Sequence, residues 1–188
     1  MKYSERLEKA IRTAGRLHRD QYRKGVTRLP YVTHPFSVAM IVSNFTDDED
    51  IIIAALLHDT FEDTNYKEDE MVDQFGTRVR DIVLGVTEPS EATSWEEKKK
   101  GYILGLKSAS AESLLVAAAD KKHNLSSVLK DYKKNPSSFF KEFSGSIDER
   151  IGYYEKMVEI IIGNLDSPIT EDLEKIFKEY KNFLLQIK

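Results

Sequence analysis

The chain has 188 residues, with 28 Lys and Arg against 32 Asp and Glu, a net charge of −4, and no cysteine. The absence of cysteine excludes a disulfide framework, thiol catalysis and thiolate metal sites, and the acidic balance argues against a general nucleic-acid binder. The longest apolar run, Ile51 to Leu57, is far shorter than the roughly 20 residues of a membrane span. The length suits one domain, and the charged N-terminus lacks the pattern of a signal peptide. We therefore expect residues 1–188 to form a single cytoplasmic domain that binds neither membranes nor nucleic acids.

Apolar residues at helical spacing predict helices along most of the chain. The stripe of the first helix consists of Leu7, Ile11, Ala14 and Leu17. The basic stretch 22–30 contains Gly and Pro and predicts a loop, and His34-Pro35 then opens a second helix, because Pro is tolerated in a first turn. The apolar run 51–57 resembles a buried strand. However, helical spacing continues through 58–63, which favours one buried helix over both segments.

Further along, local signals mark where helices stop and start. A short helix is expected to end at Gly76, with Thr77 capping the next one. Ser94 and Ser146 are each followed three residues later by Glu, which is the capping-box pattern. Thr170 is expected to cap the last helix. Because no segment predicts a convincing strand, we expect an all-α protein.

One short segment combines a histidine with three carboxylates. His58 and Asp59 are followed by Glu62 and Asp63, and on a helix this spacing stacks the four side chains near one face. Such groups repel one another unless a cation lies among them, and carboxylates at a helix C-terminus oppose the macrodipole. A bound metal is the more economical interpretation. The alternative left open is a solvated acidic helix end, with His58 as a core histidine.

Two more residues extend this pattern, although each has an ordinary explanation. His34 precedes a proline, where a histidine is often only a cap or turn residue. Asp120 lies on a long helix expected to begin near Ser110, in an apolar stretch where an unpaired carboxylate is costly but a neighbouring lysine could pair with it. The chain thus supplies a His, then His-Asp, then a distant Asp. We expect His123 to be structural or to support these residues, and His18 to lie on a helix face.

That order resembles the HD-domain metal phosphohydrolases. The surrounding motifs are similar to the hydrolase domain of RelA/SpoT proteins, including small stand-alone hydrolases such as the metazoan SpoT homologue. The matching blocks, in the family's order, are Tyr22-Arg23-Lys24, PYVTHP at 30–35, AALLHDTFEDT at 54–64, Phe75-Gly76, Val86-Thr87 and ADKKHN at 119–124. The resemblance implies a compact HD-domain helical bundle with a metal site between its central helices.

The resemblance also implies a set of site residues. The expected Mn²⁺ ligands are His34, His58, Asp59 and Asp120. Imidazoles and carboxylates suit Mn²⁺ among other divalent ions. Glu62 and Asp63 match the family's catalytic acidic pair, which positions and deprotonates the attacking water.

Substrate contacts follow from the same resemblance. Arg23 and Lys24 match residues that pack against the nucleobase, where a guanidinium plane stacks well. Asn124 and Tyr154 match contacts to the ribose and phosphates. Taken alone, the loop residues are equally explained as solvated surface, and Tyr154 as core packing. Ser126 stands where the family commonly has Arg, which bears on the choice of substrate.

The expected function is therefore that of a Mn²⁺-dependent (p)ppGpp 3′-pyrophosphohydrolase, which releases GDP or GTP and pyrophosphate. Its partner is then a small guanine nucleotide, and its oligomeric state is open. One alternative is an HD phosphohydrolase for another nucleotide, such as a dinucleotide cofactor with a 3′-phosphate or a nucleoside monophosphate. A second alternative is a nucleotide sensor without turnover. The pair Glu62-Asp63 argues against a sensor, which has no need of a water-activating acid.

Overall fold

The computed structural model describes residues 2–25, 28–89, 95–133, 135–143 and 146–188. In these ranges the regular structure is helical, and strand-like pairing is limited to one isolated bridge between Tyr22 and Pro30. Within the same ranges, no helix is long and apolar enough to span a bilayer. The predicted all-α class is confirmed.

The helices follow one another in the order α1 (Glu5–Leu17), α2 (Thr33–Val42), α3 (Glu49–Leu57), α4 (Thr60–Asp63), α5 (Glu68–Phe75), α6 (Thr77–Leu84), α7 (Trp95–Ser108), α8 (Ala111–Tyr132), α9 (Phe139–Glu142), α10 (Ile147–Asn164) and α11 (Ile169–Ile187). Several boundaries lie where local chemistry predicts them. The Ser146 hydroxyl and the Glu149 carboxylate form the expected capping box of α10. Ser110 caps α8, and α5 ends with Gly76 as its C-cap, where the φ of 92° suits glycine. The capping box predicted at Ser94 lies outside the described residues.

Three local predictions are wrong. Thr77 does not cap α6 but is its first residue, because Gly76 occupies the N-cap position. Thr170 lies inside the first turn of α11, where its hydroxyl donates to the Ser167 carbonyl at 2.8 Å. His18 does not lie on a helix face, since it follows the last residue of α1 as its C-cap and is buried there. Nδ1 of His18 lies 2.6 Å from the side-chain oxygen Oε1 of Gln21.

The core is organised around α3, in which every residue of the apolar run 51–57 is buried. Helix α3 packs against α1, α2 and α6, while α8 packs against α2, α10 and α11. A helix surrounded by neighbours on all sides needs no polar face, which explains why this run resembles a buried strand in sequence. Helices α2, α3 and α8 therefore meet in the interior and carry the candidate site.

Candidate metal centre

The chain turns between α3 and α4, so the predicted continuous helix over 51–63 is interrupted. Helix α3 ends at Leu57 and α4 begins at Thr60, whose hydroxyl donates to the Leu57 carbonyl at 2.6 Å. This bond satisfies a carbonyl at the helix end. As a consequence His58 and Asp59 turn inward, whereas Glu62 and Asp63 remain accessible to solvent. The four side chains do not share one face.

Four of the predicted site residues converge in the interior. His34 from α2 places Nε2 at 3.1 Å from Oδ1 of Asp120 on α8, and at 3.4 Å from Oδ2 of Asp59. His58 places Nε2 at 3.2 Å from the same Asp59 oxygen and at 3.8 Å from the same Asp120 oxygen. Ligand atoms of His34, His58 and Asp120 all lie within 4.8 Å of one another. The solvated acidic turn left open by the sequence describes Glu62 and Asp63 but not Asp59, which faces the two histidines.

The His58 imidazole shows that the cluster fits a cation. Its Nδ1 donates to the Ala55 carbonyl at 2.9 Å, so Nε2 is the nitrogen that faces the cluster and whose lone pair a cation could take. This Nε2 is buried and makes no hydrogen bond, despite the carboxylate oxygens beside it. Burial alone lowers the pKa of His58, but the charges of Asp59 and Asp120 raise it to about 9, so without a cation this nitrogen holds a proton, which a bound metal ion would displace. A lone pair and two carboxylates aimed at one point form the donor set of a divalent metal site.

His34 is oriented by a second histidine. The Nδ1 atoms of His34 and His123 lie 2.8 Å apart. Burial lowers the pKa of His34, and burial with the nearby His34 lowers the pKa of His123 to about 4, so both rings are neutral. A cation bound at Nε2 of His34 would require the ring proton to be on Nδ1, which could then donate to His123. Outer partners of this kind fix ring orientation at metal sites.

Asp120 both pairs with a neighbouring lysine and faces the histidines of the candidate metal site. Its Oδ2 lies 2.7 Å from Nζ of Lys121, which is the ordinary ion pair. Its Oδ1 faces the two histidines and also accepts a hydrogen bond from the Asn124 amide. Burial favours the neutral carboxyl, but Lys121 and the histidines outweigh it and hold the pKa of Asp120 well below its usual range. The carboxylate is therefore charged and fixed at both oxygens.

Tyr31 is a site residue that residue-by-residue reasoning missed. Its hydroxyl donates to Oδ2 of Asp59 at 2.7 Å. Burial and the charge of Asp59 raise the pKa of Tyr31, so the phenol stays protonated and remains a donor. The available signal was its place in the PYVTHP block, three residues before His34.

Glu62 and Asp63, the predicted acidic pair, line a cleft and are not part of the buried cluster. The cleft has a volume of about 1130 Å³, and its described lining includes Glu62, Asp63, Tyr66, Glu88 and Lys98. The Glu88 N–H donates to Oε1 of Glu62 at 2.8 Å. Loss of hydration, opposed by that hydrogen bond and assisted by Asp59, raises the pKa of Glu62 to about 7. Desolvation and the same Asp59 charge also raise the pKa of Asp63. Both carboxylates thus lie within electrostatic reach of the cluster.

The predicted substrate residues are only partly brought together. Arg23 Nη2 donates to Asn124 Oδ1 at 2.8 Å, directly beside Asp120. Lys24 is exposed, with Nζ 5.5 Å from the centre of the Phe143 ring. Arg23 is therefore not merely solvated, whereas Lys24 lies apart from the four converging side chains.

Tyr154 is half-buried and packs its ring 5.3 Å from that of Tyr180, as the core-packing alternative anticipates. Burial raises the pKa of Tyr154, while the positive charge of Lys121 opposes the rise, so this tyrosine also lies near the Asp120 ion pair. Ser126 turns its hydroxyl back onto its own helix, donating to the Lys122 carbonyl at 2.7 Å. It therefore offers no charge where the family commonly has Arg.

Comparison with known proteins identifies sequence relatives of this arrangement. Residues 10–144 match the HD domain family. The mouse guanosine-3′,5′-bis(diphosphate) 3′-pyrophosphohydrolase is 32% identical over 177 residues, which cover 92% of this chain and 93% of the mouse protein. The human protein of the same description is 39% identical over 121 residues, which cover 63% of this chain and 67% of the human protein.

Two bacterial relatives are much longer proteins. The guanosine-3′,5′-bis(diphosphate) 3′-pyrophosphohydrolase of Aquifex aeolicus is 38% identical over 100 residues, covering 53% of this chain. The GTP pyrophosphokinase of Myxococcus xanthus is 36% identical over 127 residues, covering 63% of this chain. The matched regions span only 14% and 16% of these two proteins.

Solved structures share the fold. A metazoan orthologue of SpoT that hydrolyses ppGpp superposes with a TM-score of 0.81 at 26% identity, covering 95% of this chain and 97% of that chain. A Listeria monocytogenes protein gives a TM-score of 0.70 at 27% identity, covering 85% of this chain and 99% of that chain. The helical framework that carries the buried histidines and aspartates is thus found in both.

Proposed function

Because the chain belongs to the HD-domain family, together with the SpoT-type hydrolases, we propose that it is a metal-dependent (p)ppGpp 3′-pyrophosphohydrolase. In this reaction water attacks the 3′-pyrophosphate, and GDP or GTP and pyrophosphate are released. The observation that carries the proposal is the buried, hydrogen-bond-free Nε2 of His58 among two carboxylates and a second imidazole. The choice of substrate is supported by the mouse relative, which matches this chain over nearly its whole length.

We propose Mn²⁺ as the ion. Its ligands are Nε2 of His34, Nε2 of His58, and one oxygen each of Asp59 and Asp120. Two imidazoles and two carboxylates suit Mn²⁺, although availability also decides which divalent ion is bound. When bound, the ion polarises the attacking water and the phosphoryl oxygen.

Glu62 is the proposed general base, assisted by Asp63. The Glu88 N–H holds one oxygen of Glu62 in place, so the carboxylate presents a fixed acceptor for the proton of the attacking water. A base works best when its pKa is close to the working pH, and the pKa of Glu62 is raised to about 7. The charge of Asp59 contributes to the raised pKa of both acids, which supports a place for the proton acceptor within electrostatic reach of the metal ligands.

The substrate carries many negative charges, and basic side chains offset them. Lys121 stands beside Asp120 and within electrostatic reach of Glu62, next to the reacting phosphorus in the proposed complex. We place Arg23 and Lys24 at the nucleobase, and Asn124 and Tyr154 at the ribose and phosphates. Catalysis then consists mainly of positioning and electrostatic stabilisation.

The test is a panel of guanosine and adenosine nucleotides incubated with Mn²⁺-loaded protein, including (p)ppGpp and a dinucleotide cofactor with a 3′-phosphate. Released pyrophosphate is measured against released phosphate. Pyrophosphate from (p)ppGpp, at a higher kcat/KM than any other release, supports the proposal. Phosphate released from another nucleotide identifies a different HD phosphohydrolase. Tight nucleotide binding without either product identifies a sensor.

A further inference from the structure

Building on the proposed metal site, we propose that Arg23 is a positioning residue for the metal ligands, in addition to any contact it makes with the nucleotide. Its guanidinium lies between Tyr31 and Asn124, and these two residues hold the two aspartates of the cluster, Asp59 and Asp120. Arg23 thereby connects the two carboxylate ligands from outside the site.

The first connection is a chain of hydrogen bonds. Arg23 Nη2 donates to Asn124 Oδ1 at 2.8 Å, and Asn124 Nδ2 donates to Asp120 Oδ1. An asparagine amide has an acceptor end and a donor end, and rotation by half a turn exchanges them. Because a guanidinium offers only donors, it selects the orientation in which the oxygen faces Arg23 and the NH₂ group faces Asp120. The oxygen of Asp120 that faces the histidines is thereby held in place.

The second connection passes through an aromatic ring. The Arg23 guanidinium carbon lies 5.6 Å from the centre of the Tyr31 ring, within cation–π range. The Tyr31 hydroxyl donates to Asp59 Oδ2 at 2.7 Å. The two residues lie on facing segments, since Arg23 N–H donates to the Leu29 carbonyl and Tyr31 N–H to the Gln21 carbonyl, both at 2.8 Å. Arg23 therefore packs against a ring whose backbone and hydroxyl are both fixed.

The direction in which the Mn²⁺ affinity changes when Arg23 is removed distinguishes a positioning role from simple electrostatic repulsion. Arg23 is a positive charge near a cation site, so Coulomb repulsion alone predicts that its removal tightens metal binding. Loss of a group that orients the ligands predicts weaker binding, typically by 10- to 100-fold at metal sites. A role limited to stacking on a nucleobase predicts no change when nucleotide is absent.

The experiment is a Mn²⁺ titration of metal-free full-length protein without nucleotide, followed by the electron paramagnetic resonance signal of free Mn²⁺. For Arg23→Ala we expect the Kd to rise by about 10- to 100-fold. The matched control is Arg28→Ala, which removes the same charge from the same loop. Arg28 is exposed and lies 4.9 Å from the ring of Tyr22, which is also exposed. The Kd of Arg28→Ala for Mn²⁺ should equal that of the wild type.

Two uncharged changes test the connections separately. Tyr31→Phe removes only the hydroxyl that holds Asp59, and Asn124→Ala removes the amide that holds Asp120. Each should raise the Kd by about tenfold. If Arg23 acts through Asn124, the double variant of Arg23→Ala with Asn124→Ala should lose less Mn²⁺-binding free energy than the sum of the losses in the two single variants. If Arg23→Ala fails to fold, Arg23→Lys takes its place in the titration. Lysine keeps the positive charge but lacks the planar fork of the guanidinium.

Unchanged or tighter Mn²⁺ binding by Arg23→Ala overturns the positioning role. Fully additive losses in the double variant overturn the connection through Asn124. A wild-type protein that binds Mn²⁺ but does not hydrolyse (p)ppGpp overturns the proposed function and leaves this inference standing. A wild-type protein that binds no divalent ion overturns both.

Discussion

His34 and His123 meet at their Nδ1 atoms, 2.8 Å apart, although 89 positions separate them in the chain. Two neutral imidazoles at this distance must share one proton, with one ring donating and the other accepting. If Nε2 of His34, which faces Asp59 and Asp120, binds a metal ion, the proton of His34 must be on Nδ1, so that His34 is the donor and His123 the acceptor. This contact determines which nitrogen of His34 is free to bind a metal.

We therefore predict that His123→Ala weakens Mn²⁺ binding by about 10- to 100-fold, because His34 loses the partner that fixes its tautomer and ring plane. His123→Asn, whose amide oxygen can accept from His34, should recover part of the loss. A Mn²⁺ titration of both variants measures the difference. Equal affinity in all three proteins would show that His34 needs no outer partner.

Asp120→Ala should abolish stoichiometric metal binding. It should also destabilise the fold by about 3–5 kcal/mol, because it leaves the ammonium of Lys121 without its buried partner. Asp172→Ala is the control, since Asp172 pairs with the neighbouring Lys122 at 2.6 Å but is exposed, where such pairs contribute at most about 1 kcal/mol. Metal analysis and denaturant unfolding test both effects. Full metal occupancy in Asp120→Ala would exclude Asp120 from the site.

Glu62→Gln should retain Mn²⁺ while kcat falls by at least about 10²-fold, because the amide keeps the shape but cannot accept the proton. Glu68→Gln changes an acid that lines the same cleft and pairs with Arg80, and should leave kcat unchanged. Turnover and metal content are measured on the same preparation. Near-normal turnover by Glu62→Gln protein with full Mn²⁺ occupancy would indicate that Asp63 accepts the proton.

The dependence of kcat/KM on pH should show an acidic limb near pH 7, because kcat/KM reports the pKa values of the free enzyme. The pKa of Glu62 is raised to about 7, chiefly by loss of hydration, and only the deprotonated carboxylate accepts a proton. The rate should therefore rise with pH through this value, and it should fall about tenfold per unit below it. Glu62→Gln has no such group and should lose this limb. An unchanged profile in that variant would assign the limb to another group.

Replacing Arg23 and Lys24 together with alanine should raise KM for (p)ppGpp much more than it lowers kcat, provided that Mn²⁺ is saturating. Contact with the nucleobase contributes equally to binding of the substrate and of the transition state, so its loss appears mainly in KM. Steady-state kinetics of Lys24→Ala alone separates the exposed lysine from the arginine. An unchanged KM in the double variant would exclude both residues from contact with the nucleobase.

Much of the architecture was predictable because its causes are local. Helical periodicity, the Ser146 capping box and the glycine after Phe75 all act between residues a few positions apart. The sequence also determined which side chains were candidates, since His58-Asp59 and the matching motifs stand out in the linear pattern. That residues 1–188 form a single domain stays a prediction.

Tertiary structure decided how those side chains are held. Tyr31 and Asp59 are 28 positions apart, and Arg23 and Asn124 are 101 positions apart, yet each pair is within hydrogen-bond distance. The turn at His58 was also not predictable, because helical spacing continues through it and only packing shows which residues turn inward. Periodicity shows which face of a helix is apolar, but the partners of a polar side chain depend on how helices cross, and that geometry is set by packing of the whole core.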